Sequence, residues 1–411
     1  MLIRHIKMTH YTPETNHTST TDTNLHDAFM RLGCRPDYNA TPSLNNEFET
    51  PDGKSVYAAE WGLDSNQDVS RAGTISHGPH KGSQWLIVAD GHGHISTVPR
   101  WLRVIPDSYF DDCMSTDRPG VELEKIIASE LPRGVRSSGA CVVMARISTN
   151  GDIELWNAGD SRGVVIAQLS DGKLVTLMKT IDHSVDNESE IRRLMTEKYP
   201  DALKALPSDY SISDIRKAGC NCGLLSTDNA MLVNMVPLDT GRPRATLKPG
   251  FRVNFSSTEK GFQMSRSVGH LPLGVTGTNW DYYHVSAPMN AKIHVILSSD
   301  GLWDVEPQLD TLFRWCESGG ESMMYSIAHR WVNEWDFEHP LGHSCSACWG
   351  RQANDAPIRT VQHGIKPDDI SLALCSWETP RDKIVEPTEW SLESAVGVTI
   401  ELQNSHMPEI R

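Results

Sequence analysis

Apolar positions along this chain fall mostly into short runs, over Gln84 to Ala89, Ala140 to Ile147, Ile153 to Asn157, Gly163 to Leu169, Lys173 to Met178 and Ile293 to Ser298. Runs of that length, bounded by turn residues, predict β-strands. Gly-Asp, Asn-Gly and Asp-Gly pairs join several of them, and Asn150-Gly151 lies between two. Both of those residues tolerate positive φ, so the pair predicts a hairpin and antiparallel sheets. Helical spacing is rarer, with apolar residues three and four apart over Val121 to Leu131, Asp186 to Lys198 and Met323 to Trp335. The helical stretch between His94 and Ser137 is short and interrupted by Pro99, Pro106 and Pro119. Strands that supply the core, with helices outside them, predict an α+β layered arrangement. Residues Thr12 to Thr50 are rich in Thr, Asn, Asp and Pro and lack periodicity. Such a stretch buries too little to offset its ordering entropy, so it reads as a flexible leader to a body that begins near Ser55.

Composition narrows the function. With 411 residues, 38% of them hydrophobic, the chain can bury one large core or two modest ones. A formal net charge of -15 disfavours nucleic acid as a partner, because phosphate backbones are held by Lys/Arg surfaces, whereas it suits divalent cations. No apolar run approaches the roughly 20 residues needed to cross a bilayer, and Met1 to His10 lacks the apolar stretch of a secretory signal. Nine cysteines, sparse and irregularly spaced, fit free thiols in a reducing compartment, so a cytoplasmic protein without membrane contact is expected. Trp303, Trp315, Trp331, Trp335 and Trp349 are expected to pack the core and its helices.

The chemistry stands where strands end. The run Trp85 to Ala89 leads straight into Asp90-Gly91-His92-Gly93-His94, and His294 to Ser299 leads into Asp300-Gly301-Leu302-Trp303-Asp304. A third acidic step, Asp368-Asp369, precedes the apolar run Leu372 to Cys375. Carboxylates on rigid strand ends can converge on hard cations such as Mg²⁺ or Mn²⁺, and the glycines let backbone carbonyls approach them. Any one of these steps alone is also a common turn dipeptide; three together are not explained that way.

Their order along the chain resembles that of the 2C-type (PPM) metal-dependent protein serine/threonine phosphatases, from about Tyr57 to Ser376. The resemblance rests on Asn66-Gln67-Asp68, Val88-Ala-Asp-Gly-His-Gly93, Ser137-Ser-Gly-Ala140, Asn157-Ala-Gly-Asp-Ser-Arg162, Asp182-His183-Ser184 with Glu188 and Arg192, Ser265-Arg266-Ser-Val-Gly269, Ser299-Asp-Gly-Leu-Trp-Asp304 and Asp368-Asp-Ile-Ser371. It implies a four-layer α-β-β-α sandwich of two antiparallel sheets flanked by helices, with the catalytic domain at 51–379. Residues 1–50 are then the leader, and 380–411 a C-terminal extension with room for one added strand. The implied activity is hydrolysis of phosphoserine and phosphothreonine in phosphorylated proteins by a water activated between two Mg²⁺ or Mn²⁺ ions. By position, Asp90 bridges the ions, the Gly91 carbonyl binds the second, and Asp300 and Asp368 complete the first. Asp68 acts mainly through bound waters, Asp160 belongs to a weaker third site, and His92 is the general acid. A monomer is expected.

Departures from the pattern keep other readings open. The resemblance places Glu and a phosphate-gripping Arg where this chain has Gln67 and Leu63, with Arg71 or another basic residue as a substitute. His94 and His270 also stand in place of other residues. A pseudophosphatase acting as a regulatory binding module, and a small-molecule phosphoesterase, are the alternatives. Outside the pattern, Cys220, Cys222, Cys345 and Cys348, with His343 nearby, can hold a structural Zn²⁺ if their segments meet; ordinary thiols are the competing reading.

Overall fold

The computed structural model describes residues 41–63, 66–93, 97–131, 138–183, 187, 189–190, 193, 234–236, 252–254, 264, 266–269, 280–305, 307–333 and 368–380. The strands in chain order are β1 (Ser43–Glu49), β2 (Ser55–Trp61), β3 (Val69–Thr74), β4 (Gln84–Gly93), β5 (Ser138–Ile147), β6 (Asp152–Ala158), β7 (Arg162–Gln168) and β8 (Leu174–Lys179). They continue with β9 (Asn234–Val236), β10 (Arg252–Asn254), β11 (Val268–Gly269), β12 (Asp281–Ser286), β13 (Lys292–Ser298) and β14 (Ile370–Glu378). The helices are α1 (Thr97–Val104), α2 (Asp107–Met114), α3 (Pro119–Glu130), α4 (Asp300–Trp303), α5 (Leu309–Glu317) and α6 (Gly320–Asn333).

Two sheets carry the fold. One runs β1-β2-β14-β13-β7-β8 and the other β12-β6-β5-β4-β3, with β11 also paired to β5; β9 and β10 form a separate pair. Every pairing is antiparallel. Alternation of side chains along each strand divides its residues between two cores. Leu86 and Val88 of β4, Val143 and Ala145 of β5, and Val295 and Leu297 of β13 meet between the sheets. Trp85, Ile87 and Ala89 of β4 and Val142 and Met144 of β5 face the other way, against Val98 and Leu102 of α1, Phe110 of α2, and Leu123 and Ile127 of α3. Tyr57, Ala59 and Trp61 of β2 and Ile296 of β13 pack on Leu302, Phe313, Met324, Ile327 and Trp331 of α4 to α6. The result is the four-layer α-β-β-α sandwich. It also explains why β5 reads as an almost unbroken apolar run: all ten of its residues are buried. Each large apolar side chain so placed contributes about 2 kcal/mol of burial free energy.

Three expectations need revision. Ser43–Glu49, inside the stretch expected as leader, forms β1 and pairs with β2. Its alternating exposure is carried by polar side chains at a sheet edge, so backbone pairing supplies what hydrophobic period would otherwise announce. The region with three prolines is three short helices, with Pro99 in the first turn of α1, Pro106 at the N-cap of α2 and Pro119 at the first position of α3, where a missing N–H costs nothing. In the β5–β6 turn only Gly151 takes positive φ (+93°), and its N–H donates to the Ser148 carbonyl. Most of the helix expected at Asp186 to Lys198, along with residues 1–40 and 381–411, lies outside the described residues. So do Trp335 and Trp349, whereas Trp303 and Trp331 are buried and Trp315 packs on their cluster.

At β12, the edge strand of the second sheet, lies a buried ionic hub. Arg266 donates from Nε to Glu190 Oε2 (3.0 Å) and from Nη1 to Asp281 Oδ1 (2.7 Å), and Arg193 Nη2 reaches Glu190 Oε2 at 2.9 Å. Burial alone would raise the Glu190 carboxyl, but the hydrogen bonds from Arg266 and Arg193 outweigh it and hold the group well below the usual carboxylate range. Asp281 is lowered likewise, burial being outweighed by the hydrogen bond from His183 and the charge of Arg266.

Two predictions follow from the packing and the hub. Leu297→Ala should lower stability by about 3 kcal/mol, read as a reduced urea midpoint with an unchanged m-value. Because the folded-state carboxyls of the hub are depressed, their stabilisation is complete above the ordinary carboxylate pKa of about 4 and drains away as pH falls below it. Urea midpoints measured from pH 6 to pH 3 should therefore fall more steeply for the native protein than for Glu190→Gln, which starts lower and has no carboxylate there to protonate.

Candidate metal centre

Strand register brings the predicted aspartates to one end of the sandwich. Asp68 enters β3, whose first residue Val69 pairs with Ala89, directly before Asp90 in β4. Asp160 lies in the loop that leaves β6 after Ala158 and enters β7 at Arg162. Arg162 pairs with Ser298, the last residue of β13, and Asp300 opens α4 two residues later. Ile370, the first residue of β14, follows Asp368 and Asp369 and pairs with Trp61 at the end of β2. His92 lies on β4 opposite Gly139, two residues beyond Asp90.

Short backbone contacts lock these segments together. Ser298 Oγ donates to the Ser371 carbonyl at 2.5 Å, and Ser371 N–H donates to Ser299 Oγ at 3.1 Å, tying the end of β13 to the start of β14. The Gln67 N–H donates to Asp369 Oδ2 at 3.0 Å, which couples the Asp68 segment to the same strand entry. Trp331 Nε1 donates to the Gly301 carbonyl at 2.6 Å and holds the first turn of α4 from the helical layer. Gly91 is enclosed: a Cβ there would lie 2.1 Å from Pro99 Cγ and 2.7 Å from the Gln67 carbonyl oxygen, so only glycine fits beside Asp90.

Negative charge accumulates in this region faster than the local hydrogen bonds offset it. Asp68 is 3% exposed, and burial, then the charge of Asp369, raise its carboxyl well above the ordinary range. Asp90 is raised by burial and by Asp68, Asp300, Asp368 and Asp160 in turn. Asp300 is raised by burial and then by Asp368 and Asp160, and Asp160 by burial and then by Asp182 against a hydrogen bond with Cys141. These mutual effects place Asp68, Asp90, Asp160, Asp300 and Asp368 in one electrostatic cluster. Asp68 Oδ2, Asp160 Oδ1 and Asp300 Oδ1 are buried and make no hydrogen bond. Desolvated carboxylate oxygens without partners cost several kcal/mol each, a debt that a divalent cation with oxygen ligands would cancel. The donor set thus fits hard cations, although among the described residues no three His, Cys, Asp or Glu side chains already stand in metal-holding geometry.

The departures noted in the sequence resolve differently. Leu63 is fully buried in the core beneath α4 to α6. Arg71 does not substitute for the absent arginine: Nη1 donates to the carbonyls of Arg103 and Ile105 (both 3.1 Å), and the guanidinium also pairs with Asp107 and lies over Phe110. The basic side chain that does reach this region is Arg103 of α1. Its Nη2 donates to the Asp68 carbonyl at 2.6 Å and its Nε stands 2.8 Å from Glu60 Oε1. Nothing in the local sequence marks Arg103, because its partners come from β2 and the turn before β3. Asn66, in that same turn, is one of two non-glycine residues at positive φ (54°) among the described residues. Cys220, Cys222, His343, Cys345 and Cys348 lie outside the described residues, as do His94, Ser137, Ser184, Glu188, Arg192, Ser265 and His270. The described cysteines, Cys113, Cys141, Cys316 and Cys375, are buried free thiols. No described helix is long and apolar enough to cross a membrane.

The Protein phosphatase 2C family model matches residues 115–198, a span that holds β5 to β8 together with Asp160 and His183. A serine-threonine phosphatase 2C from Toxoplasma gondii superposes with a TM-score of 0.46 at 15% identity, covering 83% of this chain and 99% of that one. A sex-determining protein of C. elegans gives 0.42 at 16% identity over 80% of this chain, which spans 65% of the worm protein's chain. A PPM Ser-Thr phosphatase from Mycobacterium smegmatis gives 0.39 at 14% identity, covering 81% and 100% of the two chains. The match to the Protein phosphatase 2C family model thus lies over the Asp160 loop, in a chain whose two six-stranded antiparallel sheets stand between helical layers as its resemblance to the 2C-type (PPM) phosphatases implies.

Proposed function

We propose that the protein is a Mg²⁺- or Mn²⁺-dependent phosphoric monoester hydrolase that removes phosphate from phosphoserine and phosphothreonine in proteins. The observation that carries this reading is the gathering of five aspartates at a single end of the sandwich, where burial and the neighbouring carboxylates raise Asp68, Asp90 and Asp300. Asp90, the Gly91 carbonyl, Asp300 and Asp368 would hold two ions, Asp68 would act through their waters, and Asp160 would hold a weaker third. Bound there, divalent cations lower the proton affinity of water and offset charge on the phosphoryl oxygens.

The chain's own contribution is placement and proton transfer. β4 and its neighbours fix Asp90 and His92 on one rigid ladder, so the carboxylate and the imidazole keep a constant spacing. His92 is assigned the proton that the departing serine or threonine alkoxide requires. The Arg103 guanidinium holds the Asp68 carbonyl and thereby orients the segment that carries that carboxylate. A second reading, a binding module with little turnover, draws on the burial of Leu63 and the engagement of Arg71, which leave the phosphate-gripping position without an arginine. A Mn²⁺-titrated assay on phosphopeptides and on p-nitrophenyl phosphate separates the two: the phosphatase reading requires Mn²⁺-dependent turnover of the peptide, and Mn²⁺ binding without turnover selects the binding module.

Two variants test the assigned roles. Asp300→Asn should reduce Mn²⁺-dependent hydrolysis of a phosphoserine peptide by at least about 10²-fold while the circular dichroism spectrum is retained, and native-like turnover would remove the metal role. His92→Ala should slow the phosphopeptide by about 10²-fold or more but p-nitrophenyl phosphate far less, because p-nitrophenolate leaves without a proton; equal slowing of both substrates would end the general-acid assignment.

A further inference from the structure

Asp160 belongs to the carboxylate cluster, yet it sits in a loop and not on a strand. What holds that loop is a reciprocal pair of hydrogen bonds with a residue 24 positions away. The Gly159 N–H donates to His183 Nδ1 at 3.1 Å, and the His183 N–H donates to the Gly159 carbonyl at 2.8 Å. Because Nδ1 accepts, the ring proton is on Nε2, which donates to Asp281 Oδ2 at 2.9 Å. His183 is 1% exposed, and Asp281 is held in turn by Arg266 Nη1 at 2.7 Å and the Tyr283 hydroxyl at 3.3 Å. Gly159 has φ +136°, and a Cβ on it would lie 2.3 Å from Cys141 Cβ, so the peptide ahead of Asp160 runs tight against β5 with no slack on that side.

We propose that His183 is a positioning residue: its imidazole fixes the Gly159–Asp160 peptide, and the place of the Asp160 carboxylate beside Asp90 and Asp300 depends on the chain Asp281–His183–Gly159. The same hub reaches the cluster by a second path. Val268 and Gly269 of β11, next to Arg266, pair with Ala140 and Gly139 of β5, which pair on their other side with Gly91 and His92. The hub thus holds the Asp160 loop through His183 and supports the His92 strand through β11. Its role toward the cation rests on the metal-dependent reading above; the clamp on Gly159 does not.

Two near-isosteric variants divide the imidazole into its halves. In His183→Gln the side-chain amide nitrogen can still donate to Asp281, but no acceptor remains for the Gly159 N–H. In His183→Asn the side-chain oxygen takes the place of Nδ1, and the contact with Asp281 is lost. Three measurements are made on the full chain: circular dichroism, hydrogen exchange of the Gly159 amide in metal-free protein, and Mn²⁺ titration by calorimetry alongside phosphopeptide turnover. His183→Gln is expected to release the Gly159 amide to exchange and to raise the half-saturating Mn²⁺ of the weakest site at least about tenfold, as loss of an outer-sphere partner does. His183→Asn is expected to keep the amide protected and the titration within about threefold of the native one.

A Gln variant that folds and titrates like the native protein overturns the proposal, as do equal shifts in both variants, which would report general destabilisation. Should the Gln variant not fold, the Asn variant decides: a tenfold weaker titration with the Gly159 amide still protected overturns the proposal, and a native-like one supports it. A native protein that neither binds Mn²⁺ nor turns over phosphopeptide refutes the metal-dependent reading and the cation role of His183 with it, whereas native titration with an unaffected Gln variant refutes this inference alone.

Discussion

Like charges brought together away from water repel, and each carboxylate that stays ionised there forfeits its hydration. Five aspartates share that burden at one end of this sandwich, and three of them keep a buried oxygen with no hydrogen-bond partner. A loose loop would relieve such repulsion by swinging its carboxylate out to solvent. Here the segments cannot, because each is the continuation of a strand locked into a ladder or a turn bonded to one. The stability needed to hold them comes from the rest of the molecule, chiefly the apolar core between the sheets.

That core and the two helical layers act on the cluster through specific contacts. Trp331 of α6 anchors the first turn of α4 at the Gly301 carbonyl, and Trp303 Nε1 donates to the Ser298 carbonyl at 3.0 Å, so the outer layer grips the backbone on both sides of Asp300. On the opposite face, Pro99 of α1 closes over Gly91, and Arg103 of the same helix holds the Asp68 carbonyl. Each helical layer therefore does two jobs, covering a sheet and setting the backbone at its end. The ionic hub of Glu190, Arg266 and Asp281 adds a third support at the β12 edge, and it couples the folding of that side of the molecule to pH through carboxyls held below their ordinary range.

Much of this was legible in the order of residues. Short apolar runs located β4 to β8 and β13 to within a few residues, because buried strands must be apolar whatever they pack against. Asp90, Asp300 and Asp368 were readable because each adjoins such a run, so a local pattern sufficed to put a carboxylate at a strand end. β1 was not, since an edge strand with polar side chains carries no hydrophobic period. Arg71 was equally opaque: a basic residue near the first acidic motif could face the cluster or the helices, and only packing shows its Nη1 spent on the carbonyls of Arg103 and Ile105.

By itself, the sequence determined that the apolar runs of β4 to β8 and β13 become strands, that acid stands at strand ends, and that the pattern resembles the 2C type, since these depend on neighbours within about ten residues and on the order of motifs. Tertiary structure alone decided that Asp68, Asp90, Asp160, Asp300 and Asp368 share one electrostatic environment, that Arg103 and not Arg71 reaches it, and that His183 holds the Asp160 loop. The reason is separation along the chain: Gly159 and His183 are 24 positions apart, and His183 and Asp281 are 98 apart. Contacts over such distances leave no periodicity behind and exist only once the sheets have closed on each other.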